Sequence, residues 1–184
     1  MVCSFFISKM KGVGKIATTG IWKIEKRLDN VIDYTTNIEK TINSDYGKDN
    51  YYDLHNVIDY VEADYKTEKQ FYVSGVNCNP KTALEEMTIT KEQYGKTGGI
   101  LGFHAFQSFA EGEVTPEQCH AIGVRLAEEM WGDRFEVVVS THLNTNHYHN
   151  HFVINSVSFK DGKRYYERNG LHVIRTFVEY SKDI

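Results

Sequence analysis

The sequence has few cysteines, no long apolar run and no excess of positive charge. Its three cysteines are an odd number without paired spacing, which argues against a disulfide framework or a thiolate zinc site and fits a reducing cytoplasm. No apolar run approaches the roughly 20 residues that a membrane helix needs. The formal net charge of −4 argues against bulk coating of nucleic acid. We therefore expect a soluble cytoplasmic protein without membrane insertion.

The length of 184 residues fits one domain with a sizeable core. Residues 1–15 contain an apolar patch too short for a secretory signal, and we interpret them as a disordered leader. Residues 16–184 form the predicted domain, with a polar insertion at about 43–70. Because the chain stops soon after a helical pattern and without a cap, we expect it to be the N-terminal part of a longer protein.

Apolar periodicity predicts a chain in which strands and helices alternate. Strands are predicted at 16–24, 71–76, 100–109, 136–142 and 147–159, and helices at 28–37, 52–61, 80–94, 116–131 and 171–180. The clearest helix start is Thr115, followed by Pro116 and by Gln118 three residues after the cap. The β-branched run at 136–142 indicates a strand in the middle of a sheet.

Four of the eight histidines lie within ten positions, at His142, His147, His149 and His151. Alternate residues of a strand share a face, so the last three would point together. Turn residues at 144–146 would place His142 opposite them across a hairpin. Because imidazole is the commonest protein ligand for divalent transition metals, the stretch predicts a metal site. His142, His149 and His151 could supply three ligands, with His147 as a spare candidate.

The histidine pattern alone leaves more than one class of metal chemistry open. A zinc hydrolase or a cupin-type oxygenase also uses a His-x-His strand, although each usually adds a carboxylate. Asn144 and Asn146 occupy nearby positions where an aspartate could have served. A further element is needed to decide among these classes.

Basic residues interleaved with two tyrosines follow the histidine stretch. They are Lys160, Lys163, Arg164, Arg168 and Arg175. Such a cluster can contact phosphates while the aromatic rings stack on bases. Lys163, Arg164 and Arg168 are therefore candidate DNA-binding residues. The alternative interpretation is that these side chains are only solvated at the end of a hairpin.

Four segments in order along the chain resemble the motifs of MobA-like mobilization relaxases of plasmids and conjugative transposons, in the HUH endonuclease superfamily. The segments are Asp33 to Thr41, Ser74 to Cys78, His104 to Phe109 and His142 to Asn155. The resemblance covers nearly the whole chain from Thr18 onward. It implies an α+β fold with a central antiparallel β-sheet flanked by helices.

The resemblance also implies roles for particular residues. Tyr34 would be the nucleophile, and His142, His149 and His151 would hold a divalent metal, Mg²⁺ or Mn²⁺. Ser74 would contact DNA. His104, Asn155 and His147 are suspected supports of the site, with His147 also an alternative ligand. The chain departs from the family pattern at Asn150, where a hydrophobic residue is usual, and at Asn144, where an aspartate is common.

The implied function is site- and strand-specific nicking of DNA at a transfer origin, through a 5′-phosphotyrosyl intermediate that initiates conjugative transfer. The implied partners are single-stranded and hairpin DNA, accessory relaxosome proteins and a secretion coupling protein. Three alternatives stay open: a rolling-circle replication initiator, a non-catalytic DNA-binding module and a small-molecule metalloenzyme. Tyr46, Tyr51 and Tyr52 are rival nucleophiles.

Overall fold

The computed structural model describes residues 18–41 and 72–165. The strands in this part are β1 (Thr18–Ile24), β2 (Val73–Val76), β3 (Gly102–Ser108), β4 (Val137–His142) and β5 (His149–Asn155). The helices are α1 (Leu28–Thr35), α2 (Ile38–Thr41), α3 (Ala83–Gln93) and α4 (Pro116–Trp131). None of these helices is long and apolar enough to cross a membrane. The predicted leader, the insertion with its helix and the C-terminal helix lie outside the described residues.

The five described strands form one sheet in the order β1-β3-β5-β4-β2. Every neighbouring pair is antiparallel. The hairpin of β4 and β5 lies in the middle, and β1 and β2 are the edges. Together with the helices packed on it, this sheet confirms the predicted α+β class.

Each face of the sheet carries its own hydrophobic core because successive side chains of a strand point to opposite faces. Helix α4 covers one face, where Leu126 and Trp131 pack on Phe152. Helices α1 and α3 cover the other, where Ile32 and Met87 pack with strand residues. Burying a side chain of this size stabilises the fold by about 1.5–3 kcal/mol. All six residues of β4 are buried, as its β-branched run predicts.

The predicted start of α4 is confirmed in detail. The Thr115 hydroxyl accepts a hydrogen bond from the Gln118 backbone N–H at 3.2 Å, and the Gln118 side chain accepts one from the Thr115 N–H at 2.9 Å. Pro116 occupies the first turn of α4. Backbone N–H groups there have no acceptor within the helix, so proline, which lacks an N–H, costs no hydrogen bond. These contacts form the capping box that the sequence predicts.

Helix α1 ends at Thr35, two residues earlier than predicted. The Thr36 hydroxyl donates to the Ile32 carbonyl at 2.9 Å, and the Asn37 side chain accepts from the Glu39 N–H at 2.9 Å. Asn37 therefore begins a second short helix instead of ending the first.

Two other boundaries also differ from the predictions. Helix α3 begins at Ala83 instead of Pro80, because the Asn79 side chain accepts from the Lys81 N–H at 3.0 Å and holds a turn there. Strand β5 ends at Asn155 instead of Phe159, since the chain turns back to pair Val157 with Arg164. The predicted turn around Gly162 is present, and this glycine has a φ of 65°.

Candidate metal centre

Three histidines meet where β4 adjoins β5. His142 ends β4 and His149 begins β5, and the two are direct partners in the antiparallel register. His151 lies two residues further along β5 and therefore on the same face. One ring nitrogen from each histidine lies within 4.8 Å of the others. This is a compact set of three nitrogen donors from neighbouring strands.

Backbone carbonyls orient two of the three rings. His142 Nε2 lies 2.9 Å from the Thr35 carbonyl oxygen, and His149 Nδ1 lies 2.8 Å from the His147 carbonyl oxygen. A carbonyl can only accept, so these two nitrogens carry the protons. The lone pairs are then on His142 Nδ1 and His149 Nε2. In metal-binding histidines, a hydrogen bond from the other ring nitrogen commonly fixes the tautomer in this way.

A fourth histidine holds the third ring. His104 Nε2 on β3 lies 2.9 Å from His151 Nδ1. His151 Nε2 is buried and has no hydrogen-bond partner in the part of the chain that the structure describes. A buried nitrogen without a partner is costly, and a cation among the three histidines would supply one. The residues present therefore fit a divalent metal ion.

Burial keeps these imidazoles uncharged. Burial, helped by the neighbouring His149 and Lys40, lowers the pKa of His142 to about 4. Burial, helped by the neighbouring His142 and His104, lowers the pKa of His151 to about 2. Burial likewise lowers the pKa of His104 to about 4. Because a metal binds the neutral imidazole, His142 and His151 need to lose no proton at neutral pH before they can bind one.

Tyr34, the predicted nucleophile, stands beside this cluster. Its ring centroid lies 5.7 Å from that of His142 and 5.9 Å from that of His151. The side chain is 51% exposed although α1 itself is anchored on the sheet through Leu28 and Ile32. A phenol beside this histidine cluster and open to solvent can reach a substrate held there.

Lys40 also belongs to this site, although the sequence motif assigned it no role. Its Nζ lies 3.4 Å from the centre of the Tyr34 ring. The Lys40 carbonyl accepts from the Leu143 N–H at 2.7 Å, which ties α2 to the end of β4. The early end of α1 is what brings Lys40 back over Tyr34. The Lys40 ammonium group therefore lies beside the Tyr34 phenol.

Asn150, which replaces the usual hydrophobic residue, points to the opposite face of the sheet and is fully buried. The side-chain oxygen of Asn150 accepts from the Thr141 hydroxyl at 2.6 Å. Its side-chain amide nitrogen donates to the Cys119 carbonyl at 2.7 Å and to the Gln107 side-chain oxygen at 3.2 Å. A Cβ on Gly123 of α4 would lie 2.6 Å from the same amide nitrogen. The Asn150 side chain, which lies between His149 and His151 in the sequence, therefore links β5 to α4.

His120 on α4 extends this network, and no sequence pattern pointed to it. Its Nδ1 lies 2.8 Å from the Thr141 hydroxyl and its Nε2 lies 2.8 Å from the Ser74 hydroxyl. Ser74 therefore lies on the α4 face, with its hydroxyl engaged by His120. The structure does not bring Ser74 to the histidine cluster.

Two other predicted supports are not members of the three-histidine cluster. His147 is exposed in the bend before β5, so the prediction that it belongs to one strand with His149 and His151 is wrong. Its carbonyl, not its ring, contacts His149. Asn155 lies four residues beyond His151, about 13 Å along the strand. Its amide donates to Met87 and to the buried Glu136 instead.

The basic residues after β5 lie at the other end of the sheet. Arg164 donates to the carbonyls of Ile100, Lys96 and Gly98 at 2.9, 3.2 and 2.7 Å, so its guanidinium closes a loop of the protein itself. Lys163 is exposed and lies 3.2 Å from Asp161. Arg164 pairs with Val157, which follows the end of β5, and β5 runs about 20 Å from His149 to Asn155. Arg168 lies outside the described residues.

Comparison with known proteins adds independent information on this site. A family model described as "Relaxase: MobA/VirD2-like, nuclease domain" matches residues 57–182. That range contains His104 and the three clustered histidines, and it begins C-terminal to Tyr34.

Individual relatives match along part of their length. Protein rlx of Staphylococcus aureus is 47% identical over 92 residues, which is 50% of this chain and 29% of that protein. The group II intron-interrupted relaxase LtrB of Lactococcus lactis subsp. cremoris is 32% identical over 146 residues, 77% of this chain and 25% of that protein. The chain thus spans less than a third of the length of the curated relatives it matches.

Proposed function

Because the chain belongs to the MobA/VirD2-like relaxases, in their nuclease domain, we propose that it nicks one DNA strand at the transfer origin of a mobile element. The nick would be specific for site and strand, and it would initiate conjugative transfer. The observation that carries the proposal is the exposed Tyr34 ring, which lies within 6 Å of two of three clustered histidines. A nucleophile and a set of metal ligands are the two parts that phosphodiester transfer requires.

In the proposed reaction, the Tyr34 phenolic oxygen attacks the scissile phosphorus. The bond from phosphorus to the 3′ oxygen breaks as the bond to tyrosine forms, and the phenol gives up its proton while the 3′ oxygen gains one. The products are a 5′-phosphotyrosyl DNA and a free 3′-hydroxyl. Because one phosphodiester replaces another, the reverse attack can reseal the strand.

We assign the remaining residues to holding and neutralising the phosphate. His142, His149 and His151 would bind a divalent cation, which would draw negative charge from the phosphate oxygens and so favour attack. His104 would be a positioning residue, because its Nε2 lies 2.9 Å from His151 Nδ1. With the shared proton on His151 Nδ1, His151 Nε2 would be free to bind the cation. Lys40, next to the phenol, would contact the same phosphate and stabilise the developing phenolate.

The metal is proposed to be Mg²⁺ or Mn²⁺, and the donor set distinguishes between them. Mg²⁺ prefers oxygen ligands, whereas imidazole nitrogens suit transition metals. Three neutral imidazoles should therefore bind Mn²⁺ more tightly than Mg²⁺. Titration calorimetry of the metal-free protein with each chloride salt would measure the difference.

The proposed partners follow from the reaction. The substrate would be single-stranded and hairpin DNA of the transfer origin, and the covalent product would require accessory relaxosome proteins and a secretion coupling protein for export. We expect these events in the cytoplasm, in agreement with the odd cysteine count. A rolling-circle replication initiator would instead cut replication-origin DNA and leave transfer-origin DNA intact.

A nicking assay tests the proposal. A labelled single-stranded oligonucleotide carrying the transfer origin is incubated with the protein and Mn²⁺, and products are separated under denaturing conditions. We expect a shorter labelled strand and a protein-bound strand, both absent with Tyr34→Phe. Tyr94→Phe is a matched control, since its hydroxyl contacts the Phe159 carbonyl instead of the cluster. A Tyr34→Phe protein that still cuts would show that the nucleophile is another residue.

A further inference from the structure

A half-exposed tryptophan borders the histidine cluster and has no part in the reaction described above. Trp22 lies on the edge strand β1, directly opposite His104 in the register, and is 46% exposed. Its ring meets that of His104 edge to face with centroids 4.6 Å apart. His104 in turn contacts His151. A large aromatic surface is therefore open to solvent, and only His104 separates it from the proposed metal ligand His151.

Phe106 continues this surface towards the cluster. Its ring centroid lies 5.7 Å from that of Trp22, and the residue is the direct β3 partner of His151 on β5. The ring lies over Gly20, where a Cβ would come within 2.6 Å of it. Glycine at this position leaves room for the phenyl ring beside the indole. Trp22 and Phe106 together make an aromatic platform on the same face as the histidines.

We propose that this Trp22–Phe106 platform stacks a nucleobase of the DNA strand next to the phosphate attacked by Tyr34, an inference that rests on the proposed function. Aromatic side chains bind the bases of single strands by stacking, with little dependence on sequence. Strand β1 lies two strand spacings from β5, about 10 Å. Stacked nucleotides rise about 3.4 Å each, so the base would lie within about three nucleotides of the bond that is cut.

The charge around the platform favours DNA as its occupant over an apolar partner. Lys26, two residues beyond the end of β1, is exposed. Lys23 alternates with Trp22 along the strand, so its side chain lies on the opposite face of the sheet. On the other side of the histidines, Lys40 lies against Tyr34. A strand that runs from Tyr34 across the cluster to Trp22 would therefore meet the Lys40 cation at one end of its path and the aromatic platform at the other.

The competing explanation is that Trp22 only shields His104 from water. In that case removal of the indole would disturb His104 and the binding of metal, but it would leave the affinity for DNA unchanged in the absence of metal. DNA binding without a divalent ion therefore separates the two explanations.

The test uses a 12-nucleotide oligothymidylate as the probe, with chelator present so that no strand is cut. The chain has two tryptophans, and Trp131, the last residue of α4, is 1% exposed and packs on the opposite face of the sheet. Stacking should therefore quench the fluorescence of Trp22 alone, and Trp22→Ala should abolish the quenching. We expect Trp22→Ala to weaken binding of the labelled probe about 5- to 150-fold, and Trp22→Phe to weaken it less. Ile89→Ala, at an exposed position on α3, is the matched control and should bind as wild type does.

Unchanged tryptophan fluorescence on saturation of the wild type, or a Trp22→Ala protein that binds the probe as tightly as wild type, would overturn the platform. Its failure is distinguishable from failure of the proposed nicking. If wild type cuts transfer-origin DNA while Trp22→Ala binds the probe unchanged, the platform alone is wrong. If wild type never cuts but Trp22→Ala loses affinity and quenching, the platform stands and the nicking does not.

Discussion

Acidification from pH 7 to pH 5 should destabilise the fold, and His120 should account for a measurable part of the loss. Burial lowers the pKa of His120 to about 4, while an unfolded histidine titrates near 6.5. Between these values the unfolded chain binds a proton that the folded chain does not. The folded state is therefore favoured above the unfolded pKa, and its free energy of unfolding falls as the pH drops towards 4. For these two pKa values, the loss between pH 7 and pH 5 is about 2 kcal/mol.

Replacement by glutamine removes this titration while it keeps a polar side chain near Ser74 and Thr141. Urea unfolding of wild type and His120→Gln would be followed by circular dichroism at pH 7 and pH 5, with chelator present. The loss between the two pH values is compared within each protein, so a constant difference in stability cancels. We expect the wild-type loss to exceed that of His120→Gln by about 2 kcal/mol. His147→Gln, at an exposed loop position, should behave as wild type does.

An equal loss in wild type and His120→Gln would contradict the inference that His120 is held neutral between α4 and β4. The same result would remove the reason for regarding the Ser74–His120–Thr141 contacts as a part-buried network.

Three further perturbations follow from the contacts around the cluster. His104→Ala should weaken Mn²⁺ binding about 10- to 100-fold in calorimetry, and His104→Gln should restore part of it; equal affinity in all three proteins would refute the positioning role. Gly123→Ala should push against Asn150 and lower the free energy of urea unfolding by about 1–3 kcal/mol. Gly98→Ala, with open space around it, is its control, and equal stability of the two variants would count against the packing described. Lys40→Ala should slow covalent adduct formation about 100-fold, with partial recovery in Lys40→Arg; an unchanged rate would exclude Lys40 from the reaction.

The order of elements could be predicted from the sequence because the signals are local. The capping box at Thr115 involves residues three apart, and the β-branched run of β4 is contiguous. The pairing of His142 with His149 also follows from a short turn. In each case, the residues that decide the structure lie within a few positions of one another.

The features that the sequence did not predict depend on contacts between distant segments. Whether His147 belongs to β5 depends on where pairing with β3 begins, and Ser74 faces α4 because of how β2 pairs with β4. Arg164 is occupied by carbonyls more than 60 residues earlier in the chain. Lys40 reaches Tyr34 only because Asn37 starts a new helix. No periodicity in the sequence carries this information.

The residue that becomes linked to DNA can be identified directly from the covalent product. Wild type would be reacted with transfer-origin oligonucleotide and Mn²⁺, digested with nuclease and trypsin, and mapped by mass spectrometry. Trypsin separates the candidates, since Tyr34 falls in peptide 28–40, Tyr46 in 41–48, and Tyr51 and Tyr52 in 49–66. We predict a nucleotide adduct on peptide 28–40 that disappears when the metal is chelated. An adduct on either of the other two peptides, or none on any tyrosine while the DNA is cut, would contradict the assignment of Tyr34 as the nucleophile.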